Sequence, residues 1–273
     1  MKIDVYLNDY TINYLDDKSI ASINHMTLKH FKRITKSSQH FYILRGEPTL
    51  HPKIIDILQS LEDKNYILTT HGWNKDVLLN YKGKIPYISF KWDGFLNDKM
   101  KGTRRLTDNV MFLLNYFHNN TDTDLRIEYV FSRRNIDWIK PDISIFRKLM
   151  GDFDRLKKPY FVLFQQSPTF RQSDYTWTHL GVDHIELLNQ SGLLTKKTLD
   201  YMNAFVNKTP YKCFSVSNNE MVFFYDGSAR PCQSLKFNEV LGNIEESSLE
   251  EIIENSQGKR KELESCPLRR VCW

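Results

Sequence analysis

Short apolar segments alternate with segments of helical periodicity through the first two thirds of the chain. Ile54, Ile57, Leu58 and Leu61, for example, recur at the spacing of one helix face. Strands are predicted at residues 2–7, 41–44, 66–69, 87–90, 125–131 and 160–164, and helices at 25–35, 53–61, 74–81, 107–117 and 142–149. This alternation predicts a parallel sheet with helices outside it, because right-handed crossovers cover the strands on both faces.

The number of repeats limits the architecture further. Six βα units are too few for the eight-stranded barrel, so the expected fold class is α/β with a partial, open (β/α)6 TIM-like barrel. In parallel architectures the ligand binds at the carboxyl ends of the strands. Four polar turns follow predicted strands, at residues 45–47, 70–72, 91–94 and 132–135. We therefore expect these turns to form one candidate site.

A different unit is predicted at the carboxyl end of the chain. Two further helices, 184–190 and 195–207, follow an irregular polar stretch at 166–178. Asp226-Gly227 then lies between the apolar segments 221–225 and 229–231, which predicts a short hairpin. A last helix is expected at 249–255. The predicted domains are residues 1–208, the partial barrel, and residues 209–273, a small cysteine-rich domain.

The cysteines are confined to this second predicted domain. No cysteine precedes residue 213, and the chain then has Cys213, Cys232, Cys266 and Cys272. A hairpin turn at Gly227 would bring Cys232 back toward Cys213. Four thiolates suit an iron–sulfur cluster or a zinc ion. Zinc sites usually contain close C-x2-C pairs, which this sequence lacks, so the spacing favours a cluster. The alternatives are buried inert cysteines or two disulfides.

Composition narrows the function classes. The formal net charge is only +5, and the basic residues occur in dispersed pairs, so a nucleic-acid surface is the weaker alternative. No apolar run approaches the roughly 18 residues of a membrane span. The amino terminus, MKIDVYLNDY, lacks the apolar region of a signal peptide. These observations predict a cytoplasmic protein without a membrane partner.

Several motifs together resemble one family. LRGEPTLHP at 44–52 resembles the GGEP turn of the radical S-adenosylmethionine enzymes, and ILTTHGW, YISFKWDG and EYVFSRRN resemble later strand ends of the same barrel. The tail resembles their SPASM/twitch domain, which carries auxiliary [4Fe–4S] clusters. Cys213, Gly227 and Cys232 have the spacing of that domain's C-x9–15-G-x4-C element. The segment CPLRRVC resembles its C-x5-C element. The resemblance covers nearly the whole chain and implies one auxiliary [4Fe–4S] cluster on the four cysteines.

The family's defining CxxxCxxC motif is not present. In one register Thr11, Leu15 and Lys18 stand at its three positions, and none of them can replace a thiolate. Leu263 stands where a full SPASM domain has a further cysteine, so the tail resembles the smaller twitch form. We therefore expect radical cleavage of S-adenosylmethionine to be absent, and no catalytic residue is predicted.

The GGEP-like turn also departs from the family. The resemblance implies that Gly46 and Glu47 would bind the methionine end of S-adenosylmethionine, but Arg45 replaces the first glycine and brings bulk and positive charge. The alternative is that Glu47 pairs with Arg45 or with a residue at a neighbouring strand end and stabilises the loop. His71 is expected to make a polar contact at a strand end rather than to act as a base.

Three functions remain open from the sequence. The first is a catalytically degenerate protein that keeps one cluster and binds a protein or peptide partner, or more weakly a nucleic acid. The second is an S-adenosylmethionine-binding enzyme of non-radical or atypical mechanism, for example one that modifies a peptide or a nucleotide. The third is a structural component whose tail is stapled by a metal.

Overall fold

The computed structural model describes residues 1–9, 23–100, 105–131, 135–162, 181–207, 209, 220–231 and 240–263. The strands are β1 (Lys2–Tyr6), β2 (Phe41–Arg45), β3 (Asn65–Thr70), β4 (Tyr87–Lys91), β5 (Asp124–Val130), β6 (Tyr160–Val162), β7 (Glu220–Phe223), β8 (Ser228–Arg230) and β9 (Gly242–Asn243). The helices are α1 (Leu28–Ile34), α2 (Ile54–Gln59), α3 (Lys75–Asn80), α4 (Asn97–Met100), α5 (Leu106–Asn120), α6 (Ile139–Asp152), α7 (Val182–Gln190), α8 (Lys196–Val206) and α9 (Leu249–Leu263). Short 3-10 helices lie at Pro48–Leu50, Gly94–Leu96 and Ile136–Trp138.

The predicted alternation is present. Each of the six expected strands exists with ends shifted by one or two residues, and the predicted end of β6 at 163–164 lies outside the described residues. Helix α1 begins later than the expected residue 25, because the Thr27 hydroxyl accepts a hydrogen bond from the His30 N–H at 3.1 Å and caps the helix there. His25 instead forms an antiparallel bridge with Asn8.

Contacts divide the chain into two compact units. The first contains the described residues up to 86 together with 220–231 and 240–263, and the second contains the described residues from 87 to 209. The predicted domain boundary at 208/209 therefore remains a proposal.

In the first unit the strands follow the order β3-β2-β1-β7-β8-β9. β2 and β3 are parallel, β1 pairs in parallel with both β2 and β7, and the β7–β8–β9 pairs are antiparallel. Alternate residues of β1 occupy opposite faces. Ile3, Val5 and Leu7 lie on one face and are fully buried, so this face belongs to the hydrophobic core of the unit.

In the second unit β4, β5 and β6 form parallel pairs. Its core is aromatic: the Tyr129 ring lies edge-on to those of Phe131, Phe146 and Phe161, with centroids between 5.1 and 5.8 Å apart. Such contacts contribute about 0.5–1.5 kcal/mol per pair beyond burial. No helix in the described part of the chain is long and apolar enough to span a membrane.

Candidate functional site

Gly46 and Glu47 follow directly on the carboxyl end of β2, where the sequence predicted a ligand-binding turn. Gly46 has φ +79°, and a Cβ there would lie 2.3 Å from the Asn8 side-chain oxygen. Asn8 holds the next residue from both sides: its Oδ1 accepts the Glu47 N–H, and its Nδ2 donates to the Glu47 carbonyl, both at 2.9 Å. The turn is therefore fixed by a side chain that follows β1.

The Glu47 carboxylate is fully buried and points into the protein. Its Oε1 accepts from the Thr49 N–H at 3.3 Å, from the Thr49 hydroxyl at 2.5 Å and from the Thr70 hydroxyl. Its Oε2 accepts from the His71 N–H at 2.6 Å and lies 3.0 Å from His71 Nδ1. Both oxygens are thus bonded within the chain, by donors from its own turn and from the carboxyl end of β3.

These hydrogen bonds decide the charge of Glu47. Burial raises the pKa of its carboxyl, but the donors His71, Thr49 and Thr70 outweigh burial and hold the pKa below its usual value. Glu47 is therefore an ionised group within the fold at neutral pH. The network continues through the Thr49 hydroxyl, which accepts the N–H of Asn74 at 3.2 Å, and reaches the start of α3.

Arg45 faces away from this network. Its Nε lies 3.1 Å from Asp4 Oδ2, and Asp4 is fully buried. Glu47 is therefore paired with residues at the neighbouring strand end and not with Arg45. His71 makes the strand-end contact that the sequence predicted.

Of the four predicted turns, 45–47 and 70–72 meet in the first unit. The turn at 91–94 belongs to the second unit, where the Asp93 side chain accepts the Val130 N–H at 3.1 Å and the Asp142 side chain accepts the Phe95 N–H at 2.7 Å. Residues 132–134 lie outside the described part of the chain. Asn8 and Thr49 were not predicted at this site, and Thr70 was expected there only as part of the turn 70–72, not as a partner of Glu47. The polar residues Asp4 and Asn8, in or just after the first strand of a sheet expected to be covered on both faces, were the available signal.

The four predicted cluster ligands, Cys213, Cys232, Cys266 and Cys272, lie outside the described residues, as do Thr11, Leu15 and Lys18. The predicted hairpin between the first two cysteines exists. β7 and β8 pair antiparallel around Gly227, which has φ +82°. Arg230 pairs with Val222, so the chain leaves the hairpin toward Cys232 at the end where β7 begins. A set of four thiolates fits a [4Fe–4S] cluster, with zinc as the alternative. The described residues contain no group of three metal-ligating side chains.

The tail of the chain matches a known family. The SPASM family, an iron–sulfur cluster-binding domain, matches residues 213–273. No curated protein sequence matches the chain.

Solved structures match the chain over nearly its full length. Streptococcus suis SuiB bound to S-adenosylmethionine is 15% identical, with a TM-score of 0.62 over 99% of this chain and 71% of the other. SuiB bound to the precursor peptide SuiA has a TM-score of 0.59 over 99% of this chain and 70% of the other, also at 15% identity. Native anSMEcpe with bound AdoMet is 16% identical, with a TM-score of 0.54 over 99% and 88%.

These matches confirm the predicted α/β fold class, a partial TIM-like barrel followed by a cysteine-rich domain. The chain thus has the fold of the radical S-adenosylmethionine enzymes, and its residues 213–273 match the SPASM family.

Proposed function

We propose that this chain is a peptide-binding iron–sulfur protein of the radical S-adenosylmethionine fold that no longer cleaves S-adenosylmethionine. One auxiliary [4Fe–4S] cluster is held by Cys213, Cys232, Cys266 and Cys272. The cluster stabilises the tail or faces the partner, and when bound it supplies one-electron transfer.

The observation that carries the proposal is the closed state of Glu47. The family resemblance gives this residue the amino group of S-adenosylmethionine as its ligand, yet here the carboxylate is 0% exposed and both oxygens accept hydrogen bonds from the chain. An ammonium group would have to displace donors to a buried charge, each worth about 1.5–3 kcal/mol. Thr11, Leu15 and Lys18, at the positions of the missing cysteines, support the same conclusion.

A peptide partner is favoured by the comparison with SuiB, which has been solved with its precursor peptide. A protein partner is a variant of this proposal, and a nucleic acid remains the weaker alternative because the net charge is only +5.

Anaerobic purification with iron counting, EPR and product analysis tests the proposal. We expect about four iron atoms per chain, as one [4Fe–4S] cluster requires, and no 5′-deoxyadenosine after reduction in the presence of S-adenosylmethionine. Two reducible clusters per chain, or formation of 5′-deoxyadenosine, would contradict it. If zinc is found in place of iron, the four-cysteine site stands and its metal is zinc instead of an iron–sulfur cluster.

The second candidate is an S-adenosylmethionine-binding enzyme of non-radical mechanism. It is favoured by the preserved turn, in which Gly46 keeps the positive φ that a glycine allows. Calorimetric titration with S-adenosylmethionine separates the two candidates. The closed carboxylate predicts no heat of binding with the wild type. Heat that is lost in Glu47→Ala would establish the second candidate instead.

A further inference from the structure

One face of the first unit's sheet is polar, opposite the core face formed by Ile3, Val5 and Leu7. Asp4 pairs in register with Val222, and Val222 pairs with Arg230, so the side chains of these three residues lie on one face. Strands in the middle of a covered parallel sheet are normally apolar on both faces. Charged residues on this face of β1 therefore need polar partners.

The other charges on this face are already compensated. Lys2 Nζ lies 2.5 Å from Glu220 Oε1, and Arg45 Nε lies 3.1 Å from Asp4 Oδ2. Each pair joins neighbouring strands, the first β1 with β7 and the second β1 with β2. Two acidic and two basic side chains are thus matched.

Arg230 is the exception on this face. Among the described residues no carboxylate pairs with it, and its buried Nε has no hydrogen-bond partner. Its guanidinium carbon lies 4.8 Å from the centre of the Phe224 ring. The Phe224 ring in turn stacks on Tyr6, with centroids 5.3 Å apart and planes 14° from parallel. All three residues are half-buried, so part of the surface that they form is open to a ligand.

This geometry selects a chemical class of ligand. A guanidinium carries its N–H groups in a planar fork, which suits the paired hydrogen bonds that a carboxylate accepts. A buried donor without an acceptor costs about 1–3 kcal/mol, and an incoming carboxylate would remove that cost. The two rings offer an apolar surface to the side chain next to the carboxylate.

We propose that Arg230, with Phe224 and Tyr6, binds a carboxylate of the peptide partner next to an apolar residue. The carboxylate belongs either to an acidic side chain or to the peptide's own carboxyl terminus. This inference rests on the peptide binding in the proposed function and names the chemistry that the peptide must carry.

Calorimetry with three short probes tests the inference on the full chain, prepared anaerobically. The probes are acetyl-Gly-Phe-Glu-amide, the same peptide with Gln in place of Glu, and acetyl-Gly-Phe with a free carboxyl end. We expect the Glu probe to bind at least tenfold more tightly than the Gln probe. Tighter binding of acetyl-Gly-Phe than of the Glu probe would assign the site to a peptide terminus.

Variants identify the residue. Arg230→Lys keeps the charge but loses the paired hydrogen bonds, and should weaken the Glu probe about tenfold. Phe224→Leu should weaken all probes that bind. The control is Arg147→Lys, since the Arg147 guanidinium is already bonded to the carbonyls of Ser191 and Gln190; it should bind like the wild type.

Equal affinity for the Glu and Gln probes without tighter binding of acetyl-Gly-Phe, or no binding of any probe, would overturn the carboxylate site. The wild-type comparison alone decides this, so a variant that fails to fold does not leave the inference open. Iron content and 5′-deoxyadenosine are measured on the same samples. A normal cluster together with equal probe affinities would refute the inference and leave the cluster and the lack of radical cleavage standing.

Discussion

Glu47 connects two successive βα turns through its buried charge. One carboxylate oxygen accepts from Thr49 in its own turn and from Thr70, and the other accepts from the His71 N–H. An isolated carboxylate would be strongly destabilising at this depth, and these donors replace the water that it lost. The residue that the family resemblance assigns to ligand binding therefore stabilises the fold in this chain.

Replacement of Glu47 by Gln should destabilise the protein in a pH-dependent way. At pH 7 we expect a loss of about 1–3 kcal/mol in the free energy of unfolding, because the amide places N–H groups against donors. The pKa of Glu47 is lowered from 4.5 in the fold. Its contribution is therefore complete above about pH 4.5 and is lost as the pH falls through the lower folded value. The difference between wild type and variant should shrink over that acid range.

Urea unfolding at a series of pH values measures this effect. Glu254→Gln is the control, because Glu254 is exposed on α9, and it should stay within about 0.5 kcal/mol of the wild type. A Glu47→Gln difference that is unchanged between pH 7 and pH 3.5 would show that the carboxylate charge does not stabilise the fold.

The turn after β2 depends on a glycine that is tightly enclosed. Gly46→Ala forces φ +79° on an alanine and places its Cβ 2.3 Å from the Asn8 side-chain oxygen and 2.9 Å from its carbonyl oxygen. We expect a loss of about 2–4 kcal/mol in unfolding free energy from the left-handed conformation and the clash together. Thermal and urea unfolding measure it.

Gly151 provides the matched control for that substitution. It lies in α6, and a Cβ there would meet no atom within 4 Å. Gly151→Ala should therefore stabilise the protein by about 0.5–1 kcal/mol, since alanine loses less backbone entropy on folding. Equal effects of the two substitutions would refute the enclosed geometry of the β2 turn.

The sequence predicted the elements well where apolar periodicity is strong and less well elsewhere. The strands through β6 and the hairpin turn at Gly227 were predicted because apolar runs end in polar or glycine-containing turns. Helix α9 was predicted to end at 255, because residues 255–262, NSQGKRKE, contain no apolar residue to extend the pattern. In the structure the helix continues to Leu263. The pairing of β7 with β1 was not predicted, since neither strand's sequence specifies a partner so distant in the chain.

Some residues of the candidate sites could likewise be found from the sequence and others could not. Gly46 and Glu47 could be found from a motif, and His71 from its position after β3. Asn8 and Thr70 could not be assigned to Glu47, because they come from other strands and the contact depends on the parallel register of β1, β2 and β3. Arg230 could not be found from the sequence either, since its importance rests on its position over the Phe224 ring and on its lack of a carboxylate partner among the described residues.

In the first unit, the Glu47 turn and the point where the chain leaves β8 lie at opposite ends of the strands. The Gly46–Glu47 turn follows the carboxyl end of β2, whereas the chain leaves β8 toward Cys232 at the end where β7 begins. β7 is parallel to β1, which is parallel to β2, so these ends point in opposite directions. A cluster held by Cys232 would therefore stabilise the sheet at the strand ends opposite those that carry the Glu47 network.

That arrangement predicts how loss of the cluster spreads. Cys232→Ser removes one of the four proposed ligands, so the iron content should fall below half of the wild-type value. Because β7 pairs with β1 and β8 in the first unit, amide hydrogen exchange in β7 and β8 should become at least about tenfold faster, about 1.4 kcal/mol in local opening free energy. Strands β4–β6 of the second unit should keep their protection. Glu246→Gln, an exposed change in the same segment, is the control. Unchanged iron and unchanged exchange in Cys232→Ser would exclude Cys232 as a ligand.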